Sequence, residues 1–320
     1  MTRLMDHGRP SKSVFLAGAV LLVAVAAVFP RSDARAATKP SNGVLLGAYV
    51  RRTGGLSFVD AEQAFETQLG RKLAIVNKYH DWSDTNYSDE AQLVGSGHLV
   101  MISWHPTDNL ASDTARASKV ASGQYDALIR RAAKGLKALG GRVLLRWDFE
   151  MGQDPGQPEY IGPPAQFKAA WRHMHDIFRK QKARNVKWVW APQTASFSDG
   201  TAPSFYPGKA YVNWIGGSDV MGGHSFPTFE HTFAPTYAFG SARGKPMLAW
   251  FGVPENPSDP NWKADWFSGM RTTAETSMPA LKAFVYYQAA DGAGNFVADT
   301  TPQAWSAFQS MALDPYFNPA

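Results

Sequence analysis

Short apolar runs alternate along this chain with stretches in which apolar residues recur every three or four positions. The runs are Gly43–Val50, Leu73–Trp82, His98–Pro106, Gly141–Met151, Val186–Gln193, Trp214–Met221, Lys245–Val253 and Leu281–Ala290. Each is strand-like, nearly continuous in apolar character as expected for a strand buried on both faces. Between them, Tyr125–Leu139 carries Leu128, Ala132, Leu136 and Leu139 at helical spacing. Gln166–Lys182 does the same with Phe167, Ala170, Trp171, Met174 and Phe178. Strands alternating with helices predict parallel β/α architecture. Eight of them in about 250 residues predict an α/β fold of the (β/α)8 TIM-barrel type in a single domain, with a doubly wound open sheet as the alternative. No internal repeat or linker interrupts the pattern. The Gly- and Pro-rich stretch Gln153–Pro164 reads as a rim loop.

The first residues break the pattern. A basic stretch (Arg3, Arg9, Lys12) precedes an apolar run from Val14 to Phe29, then Pro30 and the small-residue site Ala34-Arg-Ala36. This predicts a signal peptide over residues 1–36, cleaved to leave a barrel over 37–320 and a secreted or periplasmic product. A retained anchor is the alternative, but the run falls short of a span of about 20 residues. The chain has a formal net charge of +5. Residues 1–36 hold five Lys/Arg against Asp6 and Asp33, so the remainder carries about +2 and no nucleic-acid partner is implied. There is no cysteine, so no disulfide staples the fold; a core this large is stable without one.

In a barrel of this kind the chemistry sits at the C-terminal strand ends. Those ends are Tyr79-His80-Asp81-Trp82, Ser103-Trp104-His105, Arg146-Trp-Asp-Phe-Glu150, Trp190-Ala-Pro-Gln193, Asp219, Trp250 and Tyr286-Tyr287-Gln288. Flat aromatic faces suit sugar C–H groups, and Asp, His, Arg and Gln match hydroxyls. The candidate carbohydrate contacts are therefore His80, Trp104, His105, Arg146, Asp148, Trp190, Asp219, Trp250 and Tyr287. Asp148, two residues before Glu150, is expected on the same side of the strand, pointing into the barrel. Any one of these aromatics could equally fill the barrel or cover the helix layer.

The order and spacing of Asn77-Lys-Tyr-His-Asp-Trp82, Ile102-Ser-Trp-His-Pro106, Arg146-Trp-Asp-Phe-Glu-Met151, Trp188-Val-Trp-Ala-Pro192, Tyr206-Pro-Gly, Tyr211-Val-Asn-Trp-Ile-Gly216 and Lys245-Pro-Met-Leu-Ala resemble glycoside hydrolase family 26, the β-mannanase-type barrels. The resemblance runs from about residue 43 to 310. It implies a glycosidase working by the retaining route, with two carboxyls about 5–5.5 Å apart. Glu150 matches the acid/base. The nucleophile position falls on Trp250, and an indole cannot form a glycosyl ester. Phe149-Glu-Met-Gly152 stands where the family has His-Glu-Met-Asn, and Asp219-Val-Met221 replaces Asp-x-Tyr. These departures all lie around the nucleophile.

Glu150 therefore reads three ways: a retained acid with a raised pKa near Trp147 and Phe149, a ligand-binding carboxylate, or a structural partner of Arg146. Asp219, Glu255 and Asp291 are candidate replacement carboxylates for an inverting site. Two functions stay open. One is hydrolysis of a β-mannan or β-glucan type polymer; the other is non-hydrolytic polysaccharide binding. Other motifs fail on spacing: Gly240-Ser-Ala-Arg-Gly-Lys-Pro is too short for a phosphate loop, and His173 and His175 at i, i+2 face apart on a helix. His224 and His231 read as solvated loop residues. No metal or cofactor is implied, and the expected partner is a β-linked hexose polymer met by a monomer with no membrane anchor after cleavage.

Overall fold

The computed structural model describes residues 43–107, 116–149, 151, 160–221 and 225–317. The expected signal peptide over 1–36, Glu150, Gly152, most of the Gln153–Pro164 loop and His224 lie outside them.

Eight parallel strands close into a barrel in sequence order. They are β1 (Leu45–Val50), β2 (Ile75–His80), β3 (Leu99–Trp104), β4 (Val143–Trp147), β5 (Val186–Trp190), β6 (Trp214–Val220), β7 (Met247–Gly252) and β8 (Leu281–Gln288). The helices are α1 (Phe58–Leu69), α2 (Ser88–Gly95), α3 (Ala117–Ala121), α4 (Asp126–Ala138), α5 (Pro164–Lys180), α6 (Thr194–Ser198), α7 (Ala202–Phe205), α8 (Phe229–Ser241), α9 (Trp262–Thr272) and α10 (Pro302–Leu313). All eight expected strands form, so the barrel and not the open sheet is the fold. Closure runs through β8 on β1, in register from Leu45 opposite Ala283 to Val50 opposite Gln288.

Alternation along each strand divides the apolar residues into two cores. Ile75, Met101, Leu144, Val189, Leu248 and Val285 fill the barrel interior. The opposite-facing set, with Ile102, Leu145, Trp188, Phe251 and Phe284, packs against the helices. The buried stripe of α4, Ile129, Ala132, Ala133 and Leu136, recurs at helical spacing and meets that outer layer. Gly47 allows β1 to approach β2: a Cβ there would lie 2.5 Å from Ile75 Cβ. Gly70 ends α1 in the left-handed conformation at φ 81, returning its N–H to the Glu66 carbonyl.

Glu62 on α1 is wholly buried, and neither carboxylate oxygen has a hydrogen-bond partner among the described residues. Burial, reinforced by neighbouring Glu66, pushes its pKa well above the ordinary value of 4.5. The folded state thus holds a proton that the unfolded chain releases. Stability falls as pH rises from about 4.5 toward the raised value. Glu62→Gln is expected to remove that slope, raising the melting temperature at pH 8 while leaving it little changed at pH 4. Melting curves of both proteins at the two pH values check this; parallel profiles would contradict it.

Candidate active site at the barrel mouth

The inward-facing residues at the C-terminal strand ends make the floor of the mouth. Arg146 on β4 is fully buried there. Its Nε donates to Ser103 Oγ on β3 at 3.1 Å and its Nη1 to Ser218 Oγ on β6 at 2.9 Å. Ser103 in turn donates to Asn77 Oδ1 at 2.7 Å, and Ser218 to the Ala191 carbonyl at 3.0 Å. Four strands are tied to one guanidinium in this way, which fixes its plane. That plane lies against two rings: Arg146 Cζ is 4.5 Å from the centre of Trp250 and 4.3 Å from that of Phe149. Such contacts hold a buried cation through the ring quadrupole.

Trp250 on β7 is only 4% exposed. Besides Arg146 it meets Tyr287 at 5.2 Å and Tyr79 at 6.4 Å between ring centres. Tyr49 completes the aromatic wall, stacked on Tyr287 at 5.3 Å and edge-on to Tyr79 at 4.9 Å. The Tyr287 hydroxyl donates to Asp291 Oδ2, which also stands 3.3 Å from Arg51 Nη1. Burial pushes the Tyr287 hydroxyl far up, helped by its bond to Asp291. Burial also raises Tyr49, partly offset by Arg51 and Arg52. Both phenols therefore stay neutral donors, presenting half-buried rings with polar tips. His105 sits just past β3, half-buried. Its ring is 5.6 Å from Phe149, and its Nδ1 is bonded with the Thr107 hydroxyl.

Of the residues expected from sequence, His105, Arg146, Trp250 and Tyr287 meet in this mouth. His80, Trp104, Trp190 and Asp219 do not. Trp104 is 1% exposed in the helix-side layer, stacked on Trp82 at 4.6 Å, with its indole N–H donating to the Trp82 carbonyl. Trp190 is fully buried among Phe197, Tyr206 and Phe239. His80 is buried on the outer face, with Nε2 2.6 Å from Glu90 Oε1 and Nδ1 3.2 Å from Asp84 Oδ2. Asp219 accepts from the Thr194 hydroxyl, and burial raises its pKa. The reason is alternation. Each of the four is one residue out of phase with an inward neighbour such as Tyr79, Ser103, Val189 or Ser218, so it faces the helices.

Asp148 departs differently. β4 ends at Trp147, and Asp148 takes a left-handed conformation at φ 46, its N–H donating to the Trp104 carbonyl at 3.1 Å. Strand alternation does not continue through it toward Glu150, which lies outside the described residues. The turn instead brings the Phe149 ring over Arg146 and within 5.5 Å of Tyr79. Left-handed backbone at a non-glycine residue is a feature of functional rims.

Among the replacement carboxylates, Glu255 accepts from the Thr300 hydroxyl and stands 3.8 Å from the buried ammonium of Lys263. Burial lowers that lysine to about 8. Only Asp291 of the three reaches the mouth residues. Met221 is buried in the helix-side layer and does not flank Trp250. His173 bonds Asp126 at 2.6 Å, and His231 is exposed. Among the described residues, no group of three or more His, Asp or Glu is arranged to hold a metal. The sequence reading did not single out Tyr49, Asn77 or Ser218. Counting alternate positions onward from the inward-facing Leu45 on β1, Ile75 on β2 and Trp214 on β6 reaches them.

No family model matches the chain. Endoglucanase H of Acetivibrio thermocellus is 28% identical over 289 residues, covering 84% of this chain and 30% of that protein. The chain thus spans about a third of that relative's length. Among solved structures, the catalytic domain of the family 26 endo-β-1,4-mannanase from Bacillus sp. JAMB-750 superposes with a TM-score of 0.67 at 14% identity, covering 88% of this chain and 89% of that one. The family 26 β-mannanase of Bacteroides ovatus gives 0.61 at 14% identity, covering 86% and 90%. A Bacillus subtilis mannanase gives 0.59 at 16% identity, covering 85% of each. The chain has the (β/α)8 barrel of these β-mannanases, and the resemblance to glycoside hydrolase family 26 carried by its strand-end motifs extends to the whole described fold.

Proposed function

We propose that this is an exported barrel of the family 26 type that binds a β-linked hexose polysaccharide, of the β-mannan or β-glucan kind, in its mouth without cleaving it by the retaining route. The observation that carries this reading is the packing of Trp250. Where the family resemblance expects a nucleophile, a buried indole lies 4.5 Å from Arg146 and 5.2 Å from Tyr287. The guanidinium that would otherwise face a carboxylate is met by a ring. Tyr49, Tyr79 and Tyr287 supply aromatic surface and the Tyr49 hydroxyl a donor for a neutral sugar, His105 adds a polar group, and the family resemblance assigns Glu150 to the same site. On this reading residues 1–36 are the cleaved signal peptide and 37–320 the mature barrel. No helix among the described residues is long and apolar enough to cross a membrane.

Affinity electrophoresis through gels containing β-mannan or mixed-linkage glucan tests binding. The wild-type protein is expected to be retarded by one of the two. Tyr287→Ala should weaken that retardation about ten-fold, the loss of roughly 1.5 kcal/mol that an aromatic anchor supplies. Migration unaffected by either polymer would sink the proposal. A hydrolytic alternative is favoured by Asp291, the candidate carboxylate that reaches the mouth through Tyr287. If it serves as the base for an attacking water opposite Glu150, Asp291→Ala abolishes release of an inverted product and leaves retardation in place.

A further inference from the structure

The face opposite the mouth carries a concentration of charge that the sugar site does not use. Residues 176–187 hold Arg179, Lys180, Lys182, Arg184 and Lys187 against one acid, Asp176. They lie where α5 ends and β5 begins, at the N-terminal ends of the strands, and all but the half-buried Lys187 are exposed. Packing brings further cations to the same place. Lys137 Nζ donates to the Gln181 carbonyl at 3.4 Å. The Asn185 amide donates to the Leu136 and Gly141 carbonyls, both at 2.9 Å, which holds the end of α4 and the exposed Arg142 beside this loop.

The cluster is shaped as well as charged. A cavity of about 300 Å3 opens there, with Arg179, Arg184 and Lys187 in its lining beside His175, Trp188 and Asn213. Lys187 Nζ donates to the Arg184 carbonyl at 3.1 Å, so the two residues are held together. The one acid, Asp176, is engaged by Arg179 Nε at 3.3 Å and stands 4.0 Å from His175 Nδ1. It leaves four cations of the segment uncompensated in a part of the chain whose net charge is only about +2. Scattered surface charge would not collect in this way.

We propose that this base binds a linear polyanion, a polymer bearing repeated phosphate or carboxylate groups, seating one anionic group in the cavity and its neighbours on the flanking side chains. A polymer fits better than a single small anion because the cations spread over the ends of α4, α5 and β5 and each is individually weak in water. It fits better than a lipid surface because the large apolar side chains exposed among the described residues, Leu56 and Leu313, lie elsewhere and supply no wedge at this patch. Binding by the base leaves the mouth facing away, so the barrel holds the polyanion and a neutral glycan at once.

The test uses poly(glycerol phosphate) and polygalacturonate as separate probes against the full mature protein, with neutral mannan in the same format reporting the mouth. The wild type is expected to bind at least one polyanion, and the two probes distinguish phosphate from carboxylate recognition. Four contacts predict a loss of about 50-fold between roughly 50 and 200 mM salt, because counterions are released on binding. The double substitution Arg184→Glu/Lys187→Glu should weaken polyanion binding about ten-fold or more and leave mannan binding unchanged. Arg179→Glu/Lys180→Glu, on the exposed end of α5, should do the same and guards against a local disturbance of β5. Absence of polyanion binding at low salt, or binding that both double variants retain, would overturn the proposal. So would binding confined to phosphatidylglycerol vesicles. A failure of mannan binding alone bears on the mouth and not on the base.

Discussion

Wild-type protein incubated with β-mannan or mixed-linkage glucan is expected to release no product of retained anomeric configuration at the rate of a glycosidase. The retaining route needs a carboxylate to attack the anomeric carbon, and the position that the family resemblance assigns to it is Trp250. Its indole is packed against Arg146, Tyr287 and Tyr79 and is 4% exposed, so it neither attacks nor leaves room for another group at the same point. Water attacking unaided forfeits a nucleophile held at an effective molarity of about 10⁵ M or more, roughly 7 kcal/mol of barrier. Trp250→Glu is expected to recover little. The new carboxylate would gain Arg146 as a counter-charge, but it would stand in the space left by an indole. Met221, where the family has a supporting tyrosine, packs toward the helices. Reducing-sugar assays with determination of product anomer decide the matter. Rapid release of retained product, lost in Glu150→Ala, would show that another residue supplies the nucleophile.

The barrel was legible because a parallel strand covered on both faces writes itself as an unbroken apolar run, and all eight such runs became strands. The apolar runs extend past the strands they mark. The run through Met151 stops at Trp147, since Asp148 turns left-handed, a change that no apolar pattern records. The run through Gln193 stops at Trp190. The mouth was legible in part. Arg146, Trp250 and Tyr287 lie on inward positions of β4, β7 and β8, whereas Trp104, Trp190, His80 and Asp219 share the strand ends but face outward. Strand-end clustering names both faces at once, and in a barrel the outer face is as apolar and aromatic as the inner one. Phase, counted from Leu144, Leu248 and Val285 in the interior core, separates them. That one-residue offset decides whether a tryptophan faces the barrel mouth or a helix.

Trp190 gives this distinction its sharpest measurable form. The side chain is fully buried between β5 and the helix layer, with Tyr206 at 5.1 Å, Phe239 at 5.4 Å and Phe197 at 5.7 Å between ring centres. Its indole N–H has no hydrogen-bond partner among the described residues, so its contribution is apolar burial and ring packing. Truncation removes a large aromatic volume from a layer whose strand and helices are fixed by the barrel and cannot close the gap. Trp190→Ala is therefore expected to cost about 3–5 kcal/mol of stability. For a domain of this size that lowers the melting temperature by about 10 °C. Glycan retardation of the folded variant should be that of the wild type, because the residue lies behind the barrel wall from the mouth. Tyr287→Ala should behave in the opposite sense, losing retardation with the smaller change in melting temperature. Thermal melts and affinity gels run on both variants separate the two roles. If Trp190→Ala lost glycan binding while melting as the wild type does, the ring would belong to the mouth and the assignment of outward-facing strand positions to the helix layer would be wrong.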